Sequence, residues 1–199
     1  MADGIKPASV DRKNGGEPFH RDGESIGFDV QEFWSWSASD LVANTTRGLI
    51  AEFLVTKALG KGDSPRAEWD AFDVSTNSGL RVEVKSGAYL QSWEQRSLSE
   101  IRFSIKPTQG WDASSNTISE ERKRQADVYV FCVLHHLDPE TLDPLNLTQW
   151  SFYVLSTKQL NAKLGEQKTV GLSRLRNIGA RQATYNGLND AIRSAVLED

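Results

Sequence analysis

The sequence is poor in cysteine, in long apolar runs and in excess positive charge, and each shortage excludes a class of protein. The single cysteine among 199 residues, Cys132, rules out an internal disulfide framework, and a reduced, cytoplasmic setting is expected. No apolar run approaches the roughly 18 residues that span a bilayer, and the N-terminal segment lacks the apolar core of a signal peptide, so we expect no membrane association. The net charge of −4 argues against nucleic-acid binding by charge alone, although it leaves room for a local basic patch.

Composition divides the chain into a polar N-terminal arm and one domain. Residues 1–28 are rich in Gly, Asp and Lys and have few large apolar groups, so we predict a disordered or loosely attached arm. Residues 29–199 are long enough for a single domain with its own core. The sequence has no Gly-rich phosphate loop, cysteine cluster or nucleophile elbow, so it gives no support to a nucleotide triphosphatase, a zinc module or a serine hydrolase.

Hydrophobic periodicity predicts helices and strands in an α/β order. Apolar residues at intervals of three and four predict a helix from about Ser39 to Leu59, which Gly48 would divide if it acted as a breaker. Strands are predicted at 101–105, 127–136 and 150–156, with a long connection containing helical pieces after the first. The second of these strands is the most apolar, which suits a central position covered on both faces. A helix is expected at the C-terminal end, and the order of elements predicts a mixed α/β sheet.

One predicted hairpin carries acidic and basic side chains in an unusual arrangement. The sequence AFDVSTNSGLRVEVKSG contains two alternating segments joined by a short turn at NSG. Side chains alternate faces along a strand, so Glu83 and Lys85 share one face. If Thr76 pairs with Leu80 across the turn, then Asp73 lies opposite Glu83 on that same face. The apolar residues on either side of Asp73 then fall on the opposite face.

Two carboxylates that meet across a strand pair repel each other, and a divalent cation between them would remove the repulsion. Hard oxygen ligands suit Mg²⁺ or Mn²⁺, and Lys85 would stand beside the ion. Asp70 is the alternative ligand if a bulge exchanges the faces, but the pairing argument favours Asp73. Glu52, which lies among apolar residues of the predicted helix, is either a solvated residue at the edge of the apolar stripe or a third carboxylate facing the metal. An ordinary exposed hairpin would show the same alternation of Glu and Lys.

These motifs together resemble the PD-(D/E)XK nuclease superfamily, which includes type II restriction enzymes, Holliday-junction resolvases and lambda-type exonucleases. The resemblance rests on FDV, RVEVKSG and the helix sequence RGLIAEF, and it covers roughly residues 45–91. The proline of the superfamily name is absent, because Phe72 precedes Asp73. The resemblance implies a restriction endonuclease-like fold, with a mixed central β-sheet flanked by helices. It also implies hydrolysis of phosphodiester bonds in nucleic acid, DNA in the first place, with Mg²⁺ or Mn²⁺.

The same resemblance assigns roles to four side chains. Asp73 and Glu83 would bind the metal together with the Val84 carbonyl, and Glu52 would bind a second metal or a metal-bound water. Lys85 would orient or deprotonate the attacking water and stabilise charge on the phosphate. A homodimer is among the expected partners, because cutting both strands often requires two subunits. The competing hypothesis is a non-catalytic nucleic-acid-binding or scaffold module that retains the fold, which the acidic composition favours.

Features outside the hairpin are less informative. Gln91 follows the charged strand and is a weaker candidate for contact with the site or its substrate. The six tryptophans are expected mostly to fill the core, although aromatic rings also stack on unpaired bases. The basic stretches at 121–125 and 173–182 would track phosphates or form solvated surfaces.

Overall fold

The computed structural model describes residues 10–66, 70–112 and 117–197, and the chain divides into two compact units. The smaller unit contains the residues up to Ser39 together with Gly62–Arg66. The larger unit contains the rest of the chain, including the charged hairpin. None of the helices in these described ranges is long and apolar enough to cross a membrane.

The smaller unit contains an antiparallel hairpin followed by a helix. Strands β1 (Pro18–Arg21) and β2 (Glu24–Asp29) pair through a tight turn, and helix α1 spans Val30–Ala38. Both turn residues, Asp22 and Gly23, have positive φ angles, of 51° and 89°. Asp-Gly suits this kind of two-residue turn, because both residue types tolerate positive φ.

The last part of the segment 1–28, predicted as a disordered or loosely attached arm, contains regular secondary structure. Residues 18–28 form the hairpin, and the rings of Phe19 and Phe28 lie 4.9 Å apart between centroids. The predicted boundary between arm and domain falls inside β2, because the polar composition concealed a short pair of strands. Residues 1–9 lie outside the described part of the chain.

The larger unit is built around a mixed sheet of five strands. Its helices are α2 (Asn44–Ala58), α3 (Thr157–Leu164), α4 (Leu172–Asn177) and α5 (Leu188–Leu197). Its strands are β3 (Val74–Ser75), β4 (Arg81–Ala88), β5 (Arg102–Ser104), β6 (Thr108–Asp112), β7 (Thr117–Lys123), β8 (Val128–Leu134), β9 (Trp150–Ser156), β10 (Thr169–Gly171) and β11 (Arg181–Ala183). The central sheet has the order β11-β9-β8-β4-β3, and only the β4–β8 pair is parallel. This confirms the mixed α/β class predicted from the sequence and is compatible with a restriction endonuclease-like fold.

The two faces of the sheet pack into separate apolar clusters. On one face, Val82 and Val84 of β4 pack with residues of α2 and α5. On the other face, Tyr129 and Phe131 of β8 pack with residues of β5, β10, α3 and α4. Every residue of β8 is buried, which confirms that it is a central strand covered on both sides.

Helix α2 begins at Asn44 rather than near Ser39, and it differs from its prediction in two further ways. It is continuous through Gly48, around which an added Cβ would meet nothing within 4 Å. Its packed face consists of Ala51, Leu54 and Val55, whereas Leu49 and Phe53 are exposed. Spacing predicted the helix and its C-terminal end, but it did not show where the helix begins or which apolar residues face the sheet.

Two further expectations are wrong. The segment predicted as a connection with helical pieces contains the β6–β7 hairpin, whose second strand is exposed along its whole length. Of the tryptophans whose burial the structure describes, only Trp150 is buried, while Trp34, Trp36 and Trp93 are exposed. Trp69 lies outside the described residues.

Candidate active site

The charged hairpin has the register predicted from the sequence. The Thr76 N–H donates to the Leu80 carbonyl at 2.9 Å, and Val74 pairs with Val82. The regular pairing then stops, because β3 is only two residues long. Among the described residues, no strand is hydrogen-bonded to the outer edge of β4 beyond this point.

Asp73 occupies the position at which the ladder stops. Its backbone N–H donates to the Val82 carbonyl at 3.1 Å, and its Oδ2 accepts the backbone N–H of Val84 at 2.7 Å. The carboxylate thus takes the place of the backbone carbonyl that would accept the Val84 N–H if β3 continued. In an antiparallel pair, the N–H and C=O of a bonded residue point to the same side, so the Val84 carbonyl points to this edge too.

The irregularity at Asp73 changes the position of its neighbour. Phe72 was expected on the same face as Val74, but it packs with the cluster on the opposite face of the sheet. The expectation assumed that alternation continued through Asp73, whereas the regular strand begins only at Val74.

Asp73 is held in an environment that disfavours its charge. The pKa of its carboxyl is raised to about 6. Burial is the largest cause, and the nearby Glu83 carboxylate is the second. Glu52 acts in the same direction, whereas the hydrogen bond from Val84 N–H and the charge of Lys85 oppose the change. A carboxyl group beside other carboxylates is stabilised by any cation that binds among them.

Glu83 and Lys85 lie side by side on the face of the sheet opposite α2. They pair in register with Tyr129 and Phe131 of β8, and residues that pair in this way share a face. Lys85 Nζ donates to Glu83 Oε1, and both side chains are partly buried. Burial and the Glu83 carboxylate raise the pKa of Tyr129, so its hydroxyl keeps its proton.

Glu52 approaches the site from helix α2, on the other face of the sheet. It is partly buried and is close enough to raise the pKa of Asp73. Asp70, the alternative to Asp73, is exposed. The geometry thus favours Asp73 over Asp70 as the partner of Glu83.

Gln91 belongs to a polar network at the end of β4. Its Oε1 accepts from Arg47 Nη1 at 3.3 Å, and the same guanidinium donates to the Val42 carbonyl, Asn44 Oδ1 and Ser86 Oγ. Burial lowers the pKa of Arg47, which is 4% exposed. These contacts give Gln91 a role in fixing the end of β4.

Comparison with known families identifies the chain. The family model of bacteriophage T4 endonuclease IV matches residues 28–174, more than two thirds of the 199-residue chain. The chain belongs to the bacteriophage T4 endonuclease IV family. This membership supports a nuclease function and a nucleic-acid substrate. No curated protein matches the sequence.

In this endonuclease IV family member, the candidate ligands of a divalent cation are two carboxylates, those of Asp73 and Glu83. Within residues 10–66, 70–112 and 117–197, no three His, Cys, Asp or Glu side chains converge as a complete metal site. Mg²⁺, however, is usually held by one or two carboxylates, with water and substrate phosphates completing its shell. Asp73 and Glu83 supply such a pair, and no described residue donates a hydrogen bond to Asp73 Oδ1. Glu52 lies near this pair without completing a three-residue cluster.

Sequence reasoning missed a small pocket beside Glu83 in this family member. The pocket is lined by Glu83 and Lys85 together with side chains that follow β5 and precede β8, among them Lys106 and Gln125. The sequence SIKPT, a lysine between hydroxyl residues just after a strand, was the available signal. It was overlooked because nothing in the sequence shows that this segment lies over β4.

Proposed function

We propose that this member of the T4 endonuclease IV family is a metal-dependent nuclease of the PD-(D/E)XK superfamily that hydrolyses phosphodiester bonds in DNA. The proposal depends chiefly on one observation. Asp73 lies at the end of a broken strand pair, beside Glu83, and burial together with the Glu83 carboxylate raises its pKa to about 6. The family match covers all four candidate residues, Glu52, Asp73, Glu83 and Lys85.

The proposed roles follow from the positions of these side chains. A bound Mg²⁺ would stabilise the negative charge that develops on the phosphate and make a nucleophile from water at neutral pH. The Val84 N–H fixes the carboxylate of Asp73 through Oδ2, so the cation site is preorganised. Lys85, held against Glu83, places an ammonium group where it orients the attacking water and stabilises the phosphate oxygens.

Cleavage of nucleic acid tests the activity directly. The protein is incubated with double-stranded DNA, single-stranded DNA or RNA, in Mg²⁺, in Mn²⁺ or in EDTA. We expect cleavage of DNA that requires the metal, and a rate at least about 100-fold lower in Lys85→Ala. Lys163→Ala is the matched control, because Lys163 is an exposed lysine on α3. Cleavage that is undiminished in Lys85→Ala, or no cleavage of any DNA, would refute the proposal, and cleavage of RNA alone would refute its DNA substrate.

Metal binding separates the nuclease from a non-catalytic module with the same fold. Calorimetric titration with Mn²⁺ should give a binding isotherm for the wild type and a much weaker one for Asp73→Asn. A non-catalytic module should show no Mn²⁺ binding that depends on Asp73. If both DNA strands are cut, we expect a homodimer, which light scattering on the eluting protein would detect.

A further inference from the structure

We propose that the small pocket beside Glu83 is a subsite for a phosphate group of the nucleic acid, with Lys106 as its principal cation. This inference rests on the proposed function, because it assigns a substrate contact to the same site. The pocket, called here the Lys106 pocket, is lined by the β4 side chains Glu83 and Lys85 and by Ser104, Lys106, Thr108 and Gln125.

The size of the Lys106 pocket restricts its ligand. Its volume is about 90 Å³, whereas the pocket next to the exposed Trp93 has a volume of about 510 Å³. The smaller volume suits a group of a few heavy atoms and excludes a whole nucleotide. Its lining is mostly polar, and the hydroxyl groups of Ser104 and Thr108 and the ammonium group of Lys106 can donate hydrogen bonds to a tetrahedral oxyanion.

The charges in the Lys106 pocket favour an anion over a cation. Lys85 is already paired with Glu83, so these two charges largely cancel. Lys106 forms no salt bridge with any carboxylate in the described part of the chain. A phosphate would therefore compensate the charge of the Lys106 ammonium group. A metal cation in the same pocket would instead be repelled by it.

The backbone that carries Lys106 is fixed on both sides. The preceding residue, Ile105, is buried, and its N–H donates to the Lys168 carbonyl at 2.9 Å. Its carbonyl accepts from Arg124 Nε at 2.9 Å, and Arg124 is itself buried. Lys106 thus follows an anchored residue, and only its own side chain must become ordered when a phosphate binds.

A second anchor fixes the other end of the segment. Gln125 Nε2 donates to the Thr108 carbonyl at 2.8 Å, which ties the start of β6 to the residues before β8. The pocket is therefore formed before the ligand arrives, which reduces the entropic cost of binding. A phosphate held here lies beside Glu83 and Lys85, so it positions the strand next to the proposed cation site.

The test measures binding without cleavage. A fluorescent single-stranded DNA oligonucleotide is titrated with protein in EDTA at several salt concentrations, using the wild type, Lys106→Ala, Lys106→Arg and the control Lys163→Ala. Loss of one phosphate contact should lower the slope of log affinity against log salt by about 0.7. We expect that loss in Lys106→Ala, recovery in Lys106→Arg, and a wild-type slope in Lys163→Ala. Equal slopes in Lys106→Ala and Lys163→Ala would overturn the inference.

Inorganic phosphate distinguishes a nucleic-acid phosphate from a free anion. Phosphate should shift the backbone amide resonances of residues 104–106 and of Thr108 in the wild type and compete with the oligonucleotide, and both effects should disappear in Lys106→Ala. If phosphate binds at Lys106 without competing with the oligonucleotide, the pocket takes a free anion and the inference is wrong. A protein that shows the expected slopes but never cleaves DNA would refute the proposed nuclease while leaving the subsite intact.

Discussion

Replacing Asp73 by asparagine should stabilise the metal-free protein at neutral pH while abolishing the proposed activity. The amide oxygen of the substituted side chain still accepts the Val84 N–H, so the shape and the hydrogen bond at 2.7 Å are retained. What is lost is a negative charge beside Glu83 and Glu52. The variant therefore isolates the electrostatic effect of the carboxylate from its packing.

The magnitude follows from the pKa of Asp73. A rise from 3.8 in the unfolded chain to about 6 in the native state corresponds to about 3 kcal/mol, at about 1.4 kcal/mol per pKa unit. The carboxyl is incompletely buried and water screens part of its interaction, so we expect a gain between about 1 and 3 kcal/mol. A group whose pKa is higher in the native state than in the unfolded state binds more protons in the native state than in the unfolded state. Wild-type stability should therefore fall, relative to the variant, as the pH rises from about 4 to about 6.

Urea unfolding in EDTA at several pH values measures this difference. The two proteins should have similar stability near pH 4, where the native carboxyl is protonated, and the variant should be more stable at pH 7. Mn²⁺ at 1,000 times its Kd should reverse the order, because it stabilises only the protein that binds it, by about 4.1 kcal/mol. A stability difference in EDTA that does not depend on pH would refute the electrostatic argument.

Three further variants or treatments test the surrounding structure. Arg47→Met should lower the free energy of unfolding by about 2 kcal/mol in urea titrations, because methionine cannot make the hydrogen bonds of the buried guanidinium to the Val42 carbonyl and Asn44 Oδ1; an unchanged midpoint would contradict this. Phe131→Ala should lower it by about 3 to 5 kcal/mol, since Phe131 is 0% exposed, and a loss below 1 kcal/mol would show that the core collapses around the gap. Burial raises the pKa of the Cys132 thiol, so a thiol reagent should label it only at urea concentrations that unfold the protein, and labelling of the native state would show local opening.

The hairpin was predictable because its sequence constrains it twice. The NSG turn sets which residues face each other, and the alternation of valine with charged residues requires the same register, which the Val74–Val82 pair confirms. The face on which Phe72 packs was not predictable. It depends on the break in the ladder, where the Asp73 side chain accepts the Val84 N–H, and the sequence does not reveal this contact.

Other parts of the fold give weak sequence signals for physical reasons. Strand β7 is exposed on both faces, so it lacks the apolar alternation by which strands are recognised. Helix α2 tolerates Gly48 because the helix is already stabilised by its buried face against the sheet. The approach of Lys106 to the site depends on the anchoring of Ile105 by Arg124, a contact across 19 positions of the sequence.

The shortness of β3 has a consequence for self-association. A sheet edge with free backbone donors is a template on which another chain can add a strand. At this edge the carboxylate of Asp73 occupies the Val84 N–H, and its charge makes the approach of a second backbone unfavourable. The residue that we propose as a metal ligand is therefore also the group that an added strand would have to displace from the Val84 N–H.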